Sequence, residues 1–193
     1  MASELTLWIA IWALMMCRLI TLDKMPSIRP VGIGDIWRRL LAKCLLRVTG
    51  EEAEIACGAN QLCGGMRAGI EAGIHAMRMQ WDADVTLEDQ GFLLVDAKHA
   101  FNSQNHVMML WPVRHYWPSG AMFVFNCYNQ WGTLVVRDGQ GSACFIASKE
   151  GVTQGDPLSM VTYGIGILPL IKLMKTLVPA PHKPWYADDA AIM

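Results

Sequence analysis

Apolar and polar positions along this chain fall into blocks whose periods predict an order of helices and short strands. Leu5 to Cys17 is a nearly unbroken apolar run closed by Arg18. It is too short to cross a bilayer core, and no basic leader precedes it as in a signal peptide. With Ser3 as cap and Glu4 in the first turn, it predicts a buried helix. Short strands are expected at 18–24 and 28–33 around a turn at Met25-Pro26-Ser27. Asp35 is the expected N-cap of a helix over 36–48, stopped by Thr49-Gly50. There Ile36, Leu40, Leu41, Leu45 and Val48 have core spacing, while Arg39, Lys43 and Arg47 recur on one face. Residues 51–65 are acidic and glycine-rich, suiting a short helix and loop. An amphipathic helix follows over 68–81, with Ile70, Ile74, Met77 and Trp81 on one side.

After an acidic loop over 82–89, the run Gly91-Phe-Leu-Leu-Val95 predicts a buried strand ending on Asp96. A carboxylate at the end of a buried strand is costly unless paired, which makes Asp96 a site candidate. Helices are expected over 104–116 and 119–130, separated at Trp117-Pro118. Residues 131–137 and 142–149 alternate around Asp138-Gly139-Gln140-Gly141 and predict a β-hairpin. A glycine turn, Gly151 to Asp156-Pro157, opens a helix to about Leu177 despite Pro169. Beyond a proline-rich turn at 179–184, the last nine residues place Asp188-Asp189 between apolar neighbours. That pattern predicts a hairpin with two carboxylates at its tip, suited to a hard cation such as Mg²⁺. Adjacent aspartates are also ordinary turn chemistry.

Composition narrows the class. Hydrophobic residues make up 53% and charged residues 17%, so the chain forms a packed core rather than a disordered segment. Net charge is −1, so the whole chain has no basic footprint, yet charge is uneven. Residues 18–47 carry +5 and residues 51–89 carry −6, and a local basic patch can hold phosphates. The six cysteines form no C-x-x-C pair, which removes zinc-ligand spacing and leaves them as small core residues in a reducing compartment. Gly32-Ile33-Gly34 is only part of a dinucleotide fingerprint and carries no weight.

Three segments then stand in order: Leu94-Val-Asp96-Ala-Lys-His-Ala-Phe101-Asn-Ser103, Glu150-Gly-Val-Thr-Gln154-Gly155-Asp-Pro157-Leu-Ser159 and Tyr186-Ala-Asp188-Asp189. Together they resemble the three core palm motifs of reverse transcriptases. The Tyr-Ala-Asp-Asp form looks most like non-LTR retrotransposon and group II intron enzymes. Upstream, Leu22-Asp-Lys24 and Ile28-Arg29-Pro30-Val-Gly32-Ile-Gly34 with Arg38-Arg39 resemble the fingers strands and following helix of that group. The resemblance covers residue 18 to the C-terminus.

The resemblance implies RNA-directed DNA synthesis with Mg²⁺, or Mn²⁺ as the alternative ion, on an RNA template, a DNA primer and deoxynucleoside triphosphates. Nucleotidyl transfer of this kind uses two metal ions roughly 3.5–4 Å apart, which asks for carboxylates converging from separate strands. Asp96 at a strand end and Asp188 at a hairpin tip answer to that need, and the resemblance adds Asp189 as the third catalytic and metal-binding acid. By resemblance Phe101 is the aromatic gate against a sugar 2′-hydroxyl; a core phenylalanine is the alternative. Gln154 and Gly155 resemble the turn that approaches the incoming nucleotide, where a bare glycine permits close contact. Lys24 and Arg29 resemble the fingers residues on the triphosphate, and a guanidinium fork suits phosphate. Arg38, Arg39 and Lys43 are candidates for template-backbone contacts, weighed against a solvated face, and Tyr186 for contact with nucleic acid.

The fold expected is α+β: a right-hand polymerase palm, with an antiparallel sheet backed by helices over 91–193. Residues 1–90 are expected to form a partial fingers segment with its N-terminal helix. Enzymes of the family continue into further palm strands, a primer grip and a thumb, whereas this sequence ends four residues after Asp189. The expectation is therefore a fingers-and-palm fragment without a thumb, with Ala190 to Met193 too short to pair well, and with a partner chain as one source of the thumb. An inactive fragment that binds nucleic acid or a partner weakly, or a remnant without function, is the alternative. No membrane contact is expected, and the cytoplasm or nucleus is the default compartment.

Overall fold

The computed structural model describes residues 12–83, 91–137, 139–179 and 183–192. The fold is α+β, and the described residues form two small sheets backed by helices. Strand β1 (Cys17–Lys24) folds back on β2 (Ser27–Gly34) in antiparallel register from Cys17 opposite Gly34 to Lys24 opposite Ser27. Strand β4 (Gly132–Arg137) lies parallel to β1 on its other side, and β5 (Ala143–Ser148) closes a hairpin with β4. This sheet is mixed, in the order β2-β1-β4-β5. The second sheet is antiparallel, in the order β3-β7-β6, from β3 (Leu93–Asp96), β6 (Trp185–Tyr186) and β7 (Asp189–Ile192).

Among the described residues the sheets are backed by helices α1 (Ile36–Cys57), α2 (Gly69–Ala83), α3 (Ala100–Ser103), α4 (His106–Tyr116), α5 (Pro118–Tyr128) and α6 (Ser159–Leu177). Asp35 caps α1 as expected, accepting from the Trp37 N–H at 2.8 Å. The expected stop at Thr49-Gly50 does not occur, and α1 runs on to Cys57 with Gly58 as its C-cap. Tertiary contact explains this. The Thr49 hydroxyl bonds back to the Leu45 carbonyl, and the buried Trp117 indole donates to the Thr49 carbonyl and hydroxyl at 3.2 and 3.1 Å. The helix is anchored at its weakest point.

The buried face of α1 also differs from the apolar stripe read in the sequence. Arg38, Ala42, Ala53 and Cys57 are buried, with Leu45 and Leu46 half-buried, whereas Ile36, Leu40, Leu41 and Val48 are exposed. The small side chains of Ala42, Ala53 and Cys57 let α5 and α6 pack against α1, and that contact outweighs the larger apolar residues elsewhere on the helix. Helix α2 buries Met77 but leaves Ile70, Ile74 and Trp81 accessible.

At the centre lies α6, packed on α4 and α1, with Ile165, Leu168 and Ile171 fully buried. It is the one described helix long and apolar enough to cross a membrane, and it packs here as a core helix. Asp156 precedes it, accepting from the Leu158 N–H at 2.9 Å, so Asp156-Pro157 sits just outside the helix. On the second sheet, α6 packs Ile171 against Trp185, Ala190 and Val95. Of the expected N-terminal helix, Trp12 to Cys17 lie within the described residues; Trp12 to Met15 are helical, and Cys17 already belongs to β1. The 82–89 loop and the 179–184 turn lie largely outside the described residues. Four of the six cysteines are buried; Cys44 and Cys144 are exposed, and all six are free thiols.

Candidate active site

Two expectations about the acid-bearing sheet are corrected. Leu93 and Leu94 are 60% and 77% exposed, because β3 is the edge strand of its sheet rather than a buried one. Asp96 is therefore a solvent-accessible carboxylate, and burial is not what marks it. Strand β7, expected to be too short to pair well, pairs along its whole length with β3, from Leu93 opposite Ile192 to Asp96 opposite Asp189. Being flanked on both sides compensates for its length.

That register carries the site. Asp96 and Asp189 lie directly across from each other on neighbouring strands, and residues so paired have Cβ atoms about 4.5–5.5 Å apart. Tyr186 pairs with Asp189 on the other side, so Ala187-Asp188 is a two-residue hairpin loop. Ala187 takes the left-handed conformation such a turn needs, with φ of +54°. Burial, followed by the charges of Asp189 and Asp96, raises the Asp188 pKa above the usual carboxylate range, against a local backbone hydrogen bond and Arg29. The three carboxylates repel one another across one small region, the kind of field that a divalent cation relieves. Among the described residues, however, no three His, Cys, Asp or Glu side chains already form a closed set of metal ligands.

A cleft of about 360 Å³, walled by Arg29, Phe101, Gln154, Gly155, Tyr186, Asp188 and Asp189, opens beside these acids. Arg29 comes from β2, where it pairs with Leu22, and is exposed. Phe101 stacks on Tyr163 of α6, with ring centroids 4.5 Å apart. Burial, then the charge of Asp188, pushes the Tyr163 hydroxyl up to about 12, so it stays a neutral phenol. Gln154 and Gly155 are held on β2, where the Gly32 N–H donates to the Gln154 carbonyl at 2.8 Å. Gly155 has φ of +101°, and a Cβ there would meet the Gly32 carbonyl at 2.8 Å. Its glycine is required by packing within the chain itself.

Other candidates separate from this cleft. Lys24 is exposed at the end of β1 and does not line it. Arg39 and Lys43 are exposed on α1. Arg38, read with them as a nucleic-acid contact, is corrected: it is buried, and its Nη2 lies 2.8 Å from Asp156 Oδ2. Its Nη1 donates to the Met15 carbonyl at 3.0 Å. The Asp156 carboxylate keeps Arg38 charged against its burial, raising its pKa. Arg38 thus ties α1 to the turn after Gln154-Gly155.

Sequence reasoning missed Gln61 altogether. It is 1% exposed, and its amide bonds both backbone groups of Ala187: Nε2 donates to the carbonyl at 3.0 Å, and Oε1 accepts the N–H at 2.8 Å. A single amide in a glycine-rich loop has no periodic signal, and nothing short of the fold joins it to a residue 126 positions away.

No protein-family model matches this chain, and no curated protein does. Solved structures similar to it include a telomerase from Candida albicans in complex with a TWJ fragment of telomeric RNA, at 10% identity and a TM-score of 0.69, covering 92% of this chain and 37% of the other. A telomerase from Candida tropicalis, also with a TWJ fragment of telomeric RNA, matches at 12% identity and a TM-score of 0.67 over 99% of this chain and 39% of the other. The apo telomerase of Candida tropicalis matches at 10% identity and a TM-score of 0.66, over 93% and 39%. The fold is therefore similar to that of part of these telomerases, and this chain spans about two fifths of the length of those neighbours.

Proposed function

We propose that this chain is the fingers-and-palm part of a reverse transcriptase, and that its cleft is the nucleotidyl-transfer site for RNA-templated DNA synthesis. The observation that carries this reading is the register placing Asp96 opposite Asp189, with Asp188 in the adjoining turn and Arg29, Phe101, Gln154 and Gly155 lining one cleft with Asp188 and Asp189. In this reading residues 1–90 are the fingers segment and 91–193 the palm. Asp96, Asp188 and Asp189 would hold Mg²⁺ or Mn²⁺, which when bound lowers the pKa of an attacking hydroxyl and neutralises phosphate charge.

The chain's own residues account for the rest. Arg29 offers a forked donor to the triphosphate while its charge offsets the acids. Phe101, braced by Tyr163, presents a ring edge where a ribose 2′-oxygen would need room. The Gln154-Gly155 backbone, docked on β2, forms the floor under the base. Arg39, Lys43 and Lys24 lie outside the cleft as contacts for template or primer phosphates, and Tyr186 at its wall contacts the primer end. The resemblance to non-LTR and group II intron enzymes makes a retroelement the proposed source, with a thumb supplied by further chain or by a partner.

The test is incorporation of one nucleotide on an RNA template. Asp188→Ala is expected to abolish it, and Phe101→Val to raise ribonucleotide use relative to deoxynucleotide use. Unchanged incorporation by Asp188→Ala would remove the site assignment. A second reading, nucleic-acid binding without synthesis, draws on the exposed cations Lys24, Arg39 and Lys43 outside the cleft. Binding whose affinity falls steeply with salt, with no incorporation by folded protein, would select it.

A further inference from the structure

The turn that presents Asp188 needs outside support. Ala187 is a non-glycine residue at φ +54°, a conformation that costs about 1–2 kcal/mol for an L-residue. It is also 4% exposed, so its N–H and carbonyl must find partners within the protein. Gln61 supplies both through one planar amide, at 2.8 and 3.0 Å. Next to it, the Leu62 N–H donates to the Trp185 carbonyl at 2.8 Å, so two consecutive residues of this loop grip the hairpin. The Gln61 side chain reaches the turn past α6 at Gly164, where a Cβ would stand 2.9 Å from both Gln61 Cγ and Cys63 Sγ. A glycine inside an apolar helix, at the point where the amide passes, is an independent sign that space is kept for it.

The geometry assigns Gln61 as the positioning residue of the Asp188-Asp189 turn, holding Ala187 left-handed so that Asp188 faces Asp96 and Asp189 before any cation arrives. This rests on the carboxylate reading above. Gln61 touches neither substrate nor ion and acts only through Ala187. A neutral amide is the group that serves here, because it satisfies a donor and an acceptor together and adds no charge to a cluster of acids. Loss of such an outer partner weakens metal affinity through ligand disorder rather than ligand loss.

Two readouts test it on the full chain: hydrogen exchange of the Ala187 amide, and Mn²⁺ binding followed by electron paramagnetic resonance. Gln61→Met, similar in size and unable to bond, is expected to speed Ala187 exchange roughly tenfold. It should also weaken Mn²⁺ binding roughly tenfold or more, while Ile165 and Leu168 amides in α6 keep their protection. Gly164→Ala, which displaces the amide without removing it, should shift both readouts the same way. Thr162→Val, a change at a fully buried position of the same helix, should shift neither. Unchanged Ala187 exchange or unchanged Mn²⁺ affinity in folded Gln61→Met would overturn the assignment. If that variant unfolds, unchanged readouts in folded Gly164→Ala would overturn it instead. A wild-type chain that binds no Mn²⁺ would sink the metal reading separately, and Ala187 exchange would still decide whether Gln61 holds the turn.

Discussion

Two turns border the cleft, and the chain holds them by opposite means. The Gln154-Gly155-Asp156 turn is fixed by a buried ion pair, Arg38 with Asp156, whose two side chains are each 2% exposed. The Ala187-Asp188 turn is fixed by a neutral amide, Gln61. Both supports come from α1 or the loop after it, a segment that contributes no carboxylate to the cleft. The difference follows from what each turn must present. The first offers backbone and a glycine, so a charge pair behind it does no harm. The second offers carboxylates, and a cation fixed behind them would compete with one in front. The turn bearing the acids is held without charge, and the turn bearing only backbone and a glycine is held with it.

This contrast can be broken by substitution, and the ion pair should fail most severely. Arg38→Met leaves the Asp156 carboxylate buried and unpaired and is expected to cost about 3–5 kcal/mol, read as a lower urea midpoint. Arg38→Met with Asp156→Asn should recover much of that loss, because the uncompensated charge is gone and the asparagine can still accept from Leu158 N–H. A double variant no more stable than Arg38→Met alone would mean that the pair itself, not the stranded charge, holds the turn. Gly155→Ala follows: at φ +101° and 2.8 Å from the Gly32 carbonyl, it should lose about 1–3 kcal/mol by the same measurement. Gln61→Met removes three buried hydrogen bonds, two with Ala187 and a longer one from the Cys63 N–H, without stranding a charge, and a loss of about 1–3 kcal/mol is expected, below that of Arg38→Met.

The smallest effect is electrostatic. Burial, with the charges of Asp189 and Asp96 outweighing Arg29, raises the folded-state pKa of Asp188, so the folded chain keeps this proton to higher pH than the unfolded chain. Stability contributed by the protonated form is present below the usual carboxylate pKa and is lost as pH rises through the raised folded value. Asp188→Asn should flatten that slope and be the more stable protein near neutral pH, by a modest margin because Asp188 is only half-buried. Equal slopes in both proteins would show that neither burial nor the neighbouring acids raise the Asp188 pKa.

Legibility in the sequence followed the range of the physics involved. The β1–β2 and β4–β5 hairpins, the Asp35 cap and the Asp188 turn were all readable, since each depends on residues a few positions apart. Motif order brought Arg29, Phe101, Gln154, Gly155 and two of the acids to one cleft. What failed depended on packing partners. The α1 stripe pointed mostly the wrong way because Arg38, Ala42, Ala53 and Cys57 are buried there, with Leu45 and Leu46 only half-buried beside them, while Ile36, Leu40, Leu41 and Val48 are exposed. Asp96 was chosen for burial it does not have, and its value lies in the cross-strand register with Asp189. Arg38 looked like its exposed neighbours Arg39 and Lys43 because nothing local distinguishes a cation that will meet Asp156 across the fold.

The central claim is that these acids perform templated synthesis. It is tested most directly by extension of a DNA primer on an RNA template with Mg²⁺ and deoxynucleoside triphosphates, beside an Asp188→Asn/Asp189→Asn protein of equal stability. The account predicts primer extension by the wild-type chain and none by the double variant. Extension that survives in the double variant would contradict it.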